Sequence, residues 1–185
     1  MNRFTCFLAA LALAHIASLT AGVQSEADSG KDPVQGTAPS APVPVIELSD
    51  QFEVPHTLRF PHTNVVVLTL ADHKGSKQVE GWVRPLKERF PQQLTLAGVA
   101  DVSKVPAWLR GRVRAGFREQ MPYPVMLDWK GTVCRHFAYE RGDVNVLLLD
   151  RSGALRLRLT GPATAEALAR LTQAIEGLLA PSAGV

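Results

Sequence analysis

The sequence predicts an α/β fold, a three-layer sandwich in which a central mixed β-sheet carries helices on both faces. The first observation behind it is an unbroken apolar, mostly β-branched run at residues 65–70, typical of a strand buried on both faces. The second is the alternation of strand and helix patterns in the order β β β α β α β α β β α. The composition, 46% hydrophobic and 20% charged, excludes a disordered chain, a repeat array and a polytopic membrane protein.

The first half of the predicted domain starts with two short strands, at residues 44–48 and 57–60, before the buried strand at 65–70. A helix follows, because five apolar side chains recur at the spacing of one helix face. They are Val79, Trp82, Val83, Leu86 and Phe90. The pattern then returns to that of a strand at residues 94–99.

The next predicted helix begins at Ser103, which we expect to cap its N-terminus. Its buried face is expected to consist of Val105, Trp108, Leu109, Val113 and Phe117. Its outer face carries Arg110, Arg114 and Arg118. This arginine row is either a solvated helix face or a contact for an anionic lipid surface or an acidic partner.

The remaining elements are a strand, a short helix, a hairpin and a last amphipathic helix. They are predicted at residues 124–127, 132–139, 145–149 with 154–160, and 165–179. The turn at residues 128–131 contains Trp129, which we expect to be the most exposed of the three tryptophans.

The N-terminus has the pattern of a secretory signal peptide: Arg3, an apolar run and then small residues. We predict a signal peptide at residues 1–22, a flexible linker at 23–43, a domain at 44–180 and a tail at 181–185. Cleavage after Ala27 and an uncleaved anchor are the alternatives. The prediction is a periplasmic or secreted monomer without a transmembrane segment in its mature form. Loss of Arg3 leaves a net charge of +2, too weak a bias to indicate nucleic-acid binding.

Two segments resemble a known fold family. Residues 145–156, Asn-Val-Leu-Leu-Leu-Asp-Arg-Ser-Gly-Ala-Leu-Arg, are similar to the hairpin of thioredoxin-like proteins of the redoxin type. Residues 123–137, which include Pro124-Val-Met-Leu-Asp and Gly131-Thr-Val, are similar to another segment of these proteins. The group comprises peroxiredoxins and exported thiol–disulfide interchange proteins. The resemblance covers residues 44–179 and implies a thioredoxin-like sandwich.

The chemical signatures of that family are missing from this sequence. The resemblance implies a C-x-x-C pair or a lone cysteine at the start of the helix after the central strand. Depending on the alignment, this position corresponds to residues 75–78 or 77–80, and neither segment contains a cysteine. It also implies a cis-proline before the hairpin, where Val144 or Asn145 stands. Of the two cysteines, Cys6 lies in the predicted signal peptide and Cys134 on a later helix. We therefore expect a protein without dithiol redox chemistry.

The leading hypothesis is a non-catalytic module that binds a protein, a peptide or a small ligand in the cell envelope. Open α/β sheets bind ligands beyond the carboxyl ends of their strands, which places the candidate site in two loops. The candidate binding residues are Asp72, His73, Lys74, Gly75, Ser76, Lys77, Gln78, Asp143, Val144 and Asn145. No cofactor and no metal ion are expected there.

Two alternatives remain open. The first is a one-cysteine thiol oxidoreductase in which Cys134 is the nucleophile, against which stands its expected place as a partly buried apolar side chain. The second is a metal-binding module built from His56, His62 and His73 with Cys134 or Asp72. Loop histidines in solvent explain the same pattern.

Overall fold

A computed structural model describes residues 43–180 of the chain. The strands are β1 (Ile46–Ser49), β2 (Pro55–Leu58), β3 (Val65–Ala71), β4 (Leu94–Asp101), β5 (Met126–Asp128), β6 (Asn145–Leu149) and β7 (Leu155–Thr160). The helices are α1 (Ser76–Arg89), α2 (Arg110–Gln120), α3 (Thr132–His136) and α4 (Ala165–Leu179), with a 3₁₀ turn at Ala107–Leu109. The predicted signal peptide, the tail and the linker apart from Val43 lie outside the described residues.

A five-stranded mixed sheet in the order β5-β4-β3-β6-β7 forms the centre of the fold. Strands β3, β4 and β5 are parallel to one another, and β6 runs antiparallel to both β3 and β7. All seven residues of β3 are buried, as the apolar run predicts. Strands β1 and β2 form a separate antiparallel hairpin. The predicted α/β sandwich with a central mixed sheet is therefore confirmed.

Two main clusters of buried side chains cover the two faces of the sheet. Helices α1 and α4 cover one face, with Trp82 and Ile175 fully buried against β3 and β6. The β1–β2 hairpin and α3 cover the other face, with Ile46 and Phe137 in the core. Helix α2 packs on a smaller cluster at β4 and β5, to which Phe117 contributes.

The start of α2 differs from the prediction. Ser103 caps no helix, because its amide and hydroxyl both donate to the Asp101 carboxylate, at 3.0 and 2.7 Å. A serine held in this way belongs to a side-chain turn, which competes with helix formation. Pro106 precedes the 3₁₀ turn, and α2 begins only at Arg110.

This late start also changes the environment of two tryptophans. Trp108 lies in the 3₁₀ turn, where it is 81% exposed, and is not part of a buried helix face. Trp129 is half-buried, with Arg110 and Arg114 over its ring at 5.3 and 5.8 Å. The expectations of a buried Trp108 and of Trp129 as the most exposed tryptophan are both wrong.

Candidate functional site

Two loops meet at the carboxyl end of β3: residues 72–75, which lead into α1, and residues 142–144, which lead into β6. The hydroxyl of Tyr139 connects them. It accepts a hydrogen bond from the amide of Asp72 at 2.7 Å and lies 3.0 Å from the carbonyl oxygen of Asp143, to which it donates. Burial raises the pKa of Tyr139, so the phenol keeps the proton that it donates. One side chain thus holds both loops.

The carboxylate of Asp72 makes a second connection. One oxygen accepts from the amides of Lys74 and Gly75, at 3.0 and 2.9 Å. The other accepts from the amide of Gly142 at 3.1 Å. Both oxygens are therefore engaged by main-chain donors, a typical arrangement for an aspartate that closes a loop.

Gln78, in the first turn of α1, makes the third connection. Its amide nitrogen donates to the Asp143 carboxylate at 3.0 Å, and its amide oxygen accepts from the Val144 amide at 3.2 Å. The two loops also touch directly at Gly75. A Cβ atom at that position would lie 2.5 Å from the carbonyl oxygen of Asp143. The main chains are in contact there, and no groove separates them.

The structure therefore places the predicted binding residues in three environments. Those that join the two loops are Asp72, Gly75, Gln78, Asp143 and Val144. Those with exposed side chains around them are His73, Lys74 and Lys77, and the hydroxyl of half-buried Ser76 donates to the carbonyl of His73. Asn145 is buried on β6, and its side-chain oxygen has no hydrogen-bond partner.

Tyr139 is the residue of this site that the sequence analysis missed. The sequence pattern places it only at the end of the short helix predicted at residues 132–139, whereas α3 ends at His136. The available signal was chemical, since a tyrosine near a buried helix needs a partner for its hydroxyl. Neither its spacing nor its neighbours in the sequence identify Asp72 and Asp143 as those partners.

Cys134 lies in the core on α3, with 5% of its surface exposed. Its amide donates to the carboxylate of Asp128 at 3.0 Å. Burial raises the pKa of the Cys134 thiol far above its usual range, and the carboxylates of Asp101 and Asp128 raise it further. Because the thiolate is the reactive form, this environment does not favour a nucleophile.

The three histidines of the metal-binding alternative have separate contacts. His56 lies 2.8 Å from the Asp50 carboxylate, His62 lies 3.1 Å from the carbonyl of Asn64, and His73 is exposed. Within residues 43–180, no three His, Cys, Asp or Glu side chains come together in a group that could hold a metal ion.

A cleft of about 1270 Å³ lies beside the first of the two loops, from which Asp72 and His73 line it. It is lined by apolar side chains of α1 and α2, among them Val83 and Phe117, and by β4. His73, Ser76 and Lys77 line it as well, so the cleft reaches the predicted binding surface. Among the described residues, no helix combines the length and apolar character needed to cross a bilayer.

Comparison with solved structures identifies the architecture. A protein from Chlorobium tepidum assigned as the thiol:disulfide interchange protein DsbE superposes with a TM-score of 0.60 at 20% identity, over 78% of this chain and 99% of that one. The fold is thioredoxin-like. The thioredoxin domain of a thiol-disulfide oxidoreductase from Bacteroides vulgatus gives a TM-score of 0.55 at 15% identity, over 76% and 99% of the two chains. The exposed lipoprotein thioredoxin of Streptococcus pneumoniae gives 0.56 at 14%, over 72% and 99%.

Comparison of the sequence alone gives no matches of this kind. No protein-family model and no curated protein matches it. Within the thioredoxin-like fold, α1 is the helix that follows the central strand β3, and residues 75–78 at its start are Gly-Ser-Lys-Gln. Val144 precedes β6, and in the described part of the chain the one cis peptide bond joins Phe60 and Pro61.

Proposed function

We propose that this chain is an exported thioredoxin-like protein without dithiol redox chemistry, and that it binds a protein or peptide partner non-catalytically. The binding surface is the exposed part of residues 72–78 and 143–145, which consists of His73, Lys74, Lys77 and Asp143, whereas Val144 and Asn145 are buried beneath it. The observation that carries the proposal is the direct contact of the two loops, with Gly75 against Asp143. A thioredoxin-like redox site needs a thiol at the start of α1. In this chain the start of α1 has no cysteine, and Asp72, Tyr139 and Gln78 instead form hydrogen bonds that join it to the facing loop.

The exposed side chains of this surface support a binding role. His73, Lys74 and Lys77 point into solvent around the joined loops, and the exposed carboxylate among them, Asp143, already accepts from Gln78. The exposed ammonium groups of Lys74 and Lys77, held on these hydrogen-bonded loops, favour a partner that presents carboxylates. The partner would dock onto a surface that is already ordered, which limits the entropy lost on binding.

Export is supported by the pattern of residues 1–22 and by one of the similar structures. That structure is named an exposed lipoprotein, and its thioredoxin-like fold covers 72% of this chain. An oxidising compartment would allow disulfides in partner proteins, while the single cysteine among the described residues, Cys134, is buried.

A redox assay tests the absence of dithiol chemistry. We expect no reduction of insulin disulfides with dithiothreitol as electron donor, and no consumption of hydrogen peroxide, above the rate without protein. The Cys134→Ser variant should give the same background rates. Turnover by the wild-type chain would contradict the proposal, and turnover that Cys134→Ser abolishes would favour the one-cysteine enzyme.

Site-specific photocrosslinking tests the binding surface. A photoreactive amino acid is placed at Lys74 or Lys77, and at Gln173 as a control, because Gln173 is exposed on α4, which contributes no residue to the two loops or to the cleft. In cells that produce the chain naturally, we expect a protein adduct from the first two positions and none from Gln173. Equal adducts at all three positions, or none at Lys74 and Lys77, would rule out this surface.

A further inference from the structure

Strand β4 has an open edge although it lies inside the sheet. On one side β3 pairs with it along Leu94–Ala100. On the other side β5 pairs only with Val99–Asp101. Within residues 43–180, no strand pairs with this outer edge over residues 94–98. Five residues of an inner strand therefore have a main-chain edge that is free to form further hydrogen bonds.

The sequence before β5 explains why this edge stays open. Pro122 and Pro124 have no amide hydrogen, so they cannot donate to a neighbouring strand. Three other polar main-chain groups there are held by Gln51, which is fully buried. Its side-chain nitrogen donates to the carbonyls of Met121 and Tyr123, at 3.0 and 2.7 Å, and its oxygen accepts from the Val125 amide at 2.8 Å.

The cleft described above lies along this edge. Consecutive residues of β4 line it, from Thr95 to Asp101, so it exposes the main chain and not only one face of the strand. Leu96 packs towards the α1 side of the sheet and Ala97 towards the hairpin side, and both face the cleft. At about 1270 Å³, the cleft is larger than the roughly 300–1,000 Å³ usual for small-molecule pockets.

We propose that this cleft binds an extended peptide segment of another protein, which pairs with residues 94–98 as an additional β-strand. An unpaired strand edge is recognised by another main chain, and side chains at alternate positions then give specificity. One row would point towards Val83 and Phe117, and the other towards Leu58 on β2. Apolar or β-branched residues suit both rows.

The position of the edge favours a single extended chain over a second copy of this protein. Residues 94–98 are half-buried, and α1 and the segment 121–125 stand on either side of the cleft. The ring of Tyr123 and the ammonium group of Lys87, 5.6 Å apart, connect these two sides. A recessed edge of this kind admits one strand but not the side of a folded sheet. The peptide pairs with residues 94–98, which do not belong to the loop surface proposed above. The two sites meet only at the end of the cleft lined by Asp72, His73, Ser76 and Lys77, so either proposal can fail alone.

Main-chain recognition has a direct test. A phage-displayed library of random heptapeptides is selected on the wild-type chain, and the selected peptide is synthesised with blocked ends and a fluorescent label. Two further copies carry N-methyl groups on alternate amides. One copy is methylated at the odd-numbered positions, and the other at the even-numbered positions. Only one set faces β4, so we expect one copy to bind about tenfold more weakly or worse and the other to bind like the parent. No selected peptide, or equal effects in both copies, would overturn the proposal.

Two glycines of α2 provide a matched pair of variants. Gly116 lines the cleft and Gly111 does not, and a Cβ atom at either position meets nothing within 4 Å. Gly116→Trp should therefore fill the cleft and reduce binding of the selected peptide at least about tenfold, whereas Gly111→Trp should leave it unchanged. Thermal unfolding checks that both variants are folded. Unchanged binding by folded Gly116→Trp would place the peptide elsewhere.

Discussion

At the scale of single residues, the reactive side chains in and near the site have structural roles and are not available for catalysis. Cys134 is one example, because it lies in the core and its thiol keeps its proton. Tyr139 is another, because its hydroxyl is used by Asp72 and Asp143. These polar and sulfur-bearing side chains stabilise the fold, and each can be tested separately.

We expect the Cys134 thiol to react with iodoacetamide at pH 8 roughly a hundredfold more slowly in the native chain than in urea, because reaction requires local opening. The matched control is the double variant Ser76→Cys/Cys134→Ser, which moves the thiol to the partly exposed start of α1. That thiol should react at least as fast as an unfolded one. Equal rates for native and denatured wild-type protein would contradict the burial of Cys134.

Tyr139→Phe should lower the free energy of unfolding by about 1–3 kcal/mol, because it leaves the Asp72 amide and the Asp143 carbonyl without their partner. Tyr123→Phe is the control, since Tyr123 is 41% exposed and its ring contacts Lys87. We expect that variant to change stability by less than about 0.5 kcal/mol. Urea unfolding measures both. Equal effects of the two variants would show that the hydroxyl of Tyr139 does not hold the loops together.

At the scale of elements, the start of α1 and the loop before β6 behave as one packed unit. The contact depends on the absence of a side chain at Gly75, whose φ of −65° any residue can adopt. Glycine is therefore required here because there is no room for a Cβ atom, and not because of backbone strain. This separates Gly75 from Gly111, Gly116 and Gly177 in α2 and α4, where a Cβ atom would meet nothing within 4 Å.

Gly75→Ala should destabilise the chain by about 1–3 kcal/mol, because its Cβ would overlap the Asp143 carbonyl oxygen at 2.5 Å. Hydrogen exchange at the amides of Asp143 and Val144 should become faster as the loops separate. Gly177→Ala is the control on α4, where a Cβ meets nothing within 4 Å, and should stabilise by about 0.5–1 kcal/mol. If Gly75→Ala also stabilised the chain, the two loops could not be in contact.

The sequence predicted those elements whose structure is determined by the apolar spacing of their own residues. Strand β3 and helices α1 and α4 follow from apolar spacing alone, and their positions agree with the structure. The strand predicted at residues 124–127 is present as β5, but it begins only at Met126. The starts of α2 and of β5 could not be predicted, because distant side chains decide them. The Asp101 carboxylate holds Ser103 in a turn, and Gln51, about 70 positions before Met121, holds the segment before β5.

The candidate site divides in the same way. Its location beyond β3 followed from the topology of α/β sheets, and the structure brings Asp72, Gln78 and Asp143 together there. That Asp72 and Gln78 hydrogen-bond to the facing loop, and that Tyr139 bonds to both loops, could not be predicted. Such contacts join residues more than sixty positions apart, which no local pattern records.

At the scale of the whole molecule, aspartates at the ends of strands close the loops around the sheet. Asp50 follows β1 and accepts from the amides of Phe52 and Val54, and Asp150 follows β6 and accepts from those of Ser152 and Ala154. Three others, Asp72, Asp101 and Asp128, do the same after or at the ends of β3, β4 and β5. Such bonds are stronger to an ionised carboxylate than to a neutral carboxyl group, so protonation of Asp50 and Asp150 should weaken the loops that they close.

This dependence predicts how stability changes with pH. Burial acts to raise the pKa of Asp50, but the hydrogen bonds from His56, Val54 and Phe52 outweigh it and lower the pKa. At Asp150, burial is likewise outweighed by bonds from Ser152 and Arg156. Because both pKa values are lower in the folded chain, the unfolded chain takes up protons first as the pH falls. The stabilisation is complete well above pH 4 and is lost as the pH falls through the folded pKa values.

We therefore expect the free energy of unfolding, measured in urea, to be nearly constant from pH 7 to about pH 5 and to fall at more acid pH. Asp50→Asn and Asp150→Asn should each lower it at pH 7 by about 1–3 kcal/mol and make the acid decline less steep, because a titrating group has been removed. Glu119→Gln, at an exposed position on α2, should leave the curve unchanged. An acid decline as steep in both asparagine variants as in the wild type would mean that other groups hold the loops closed.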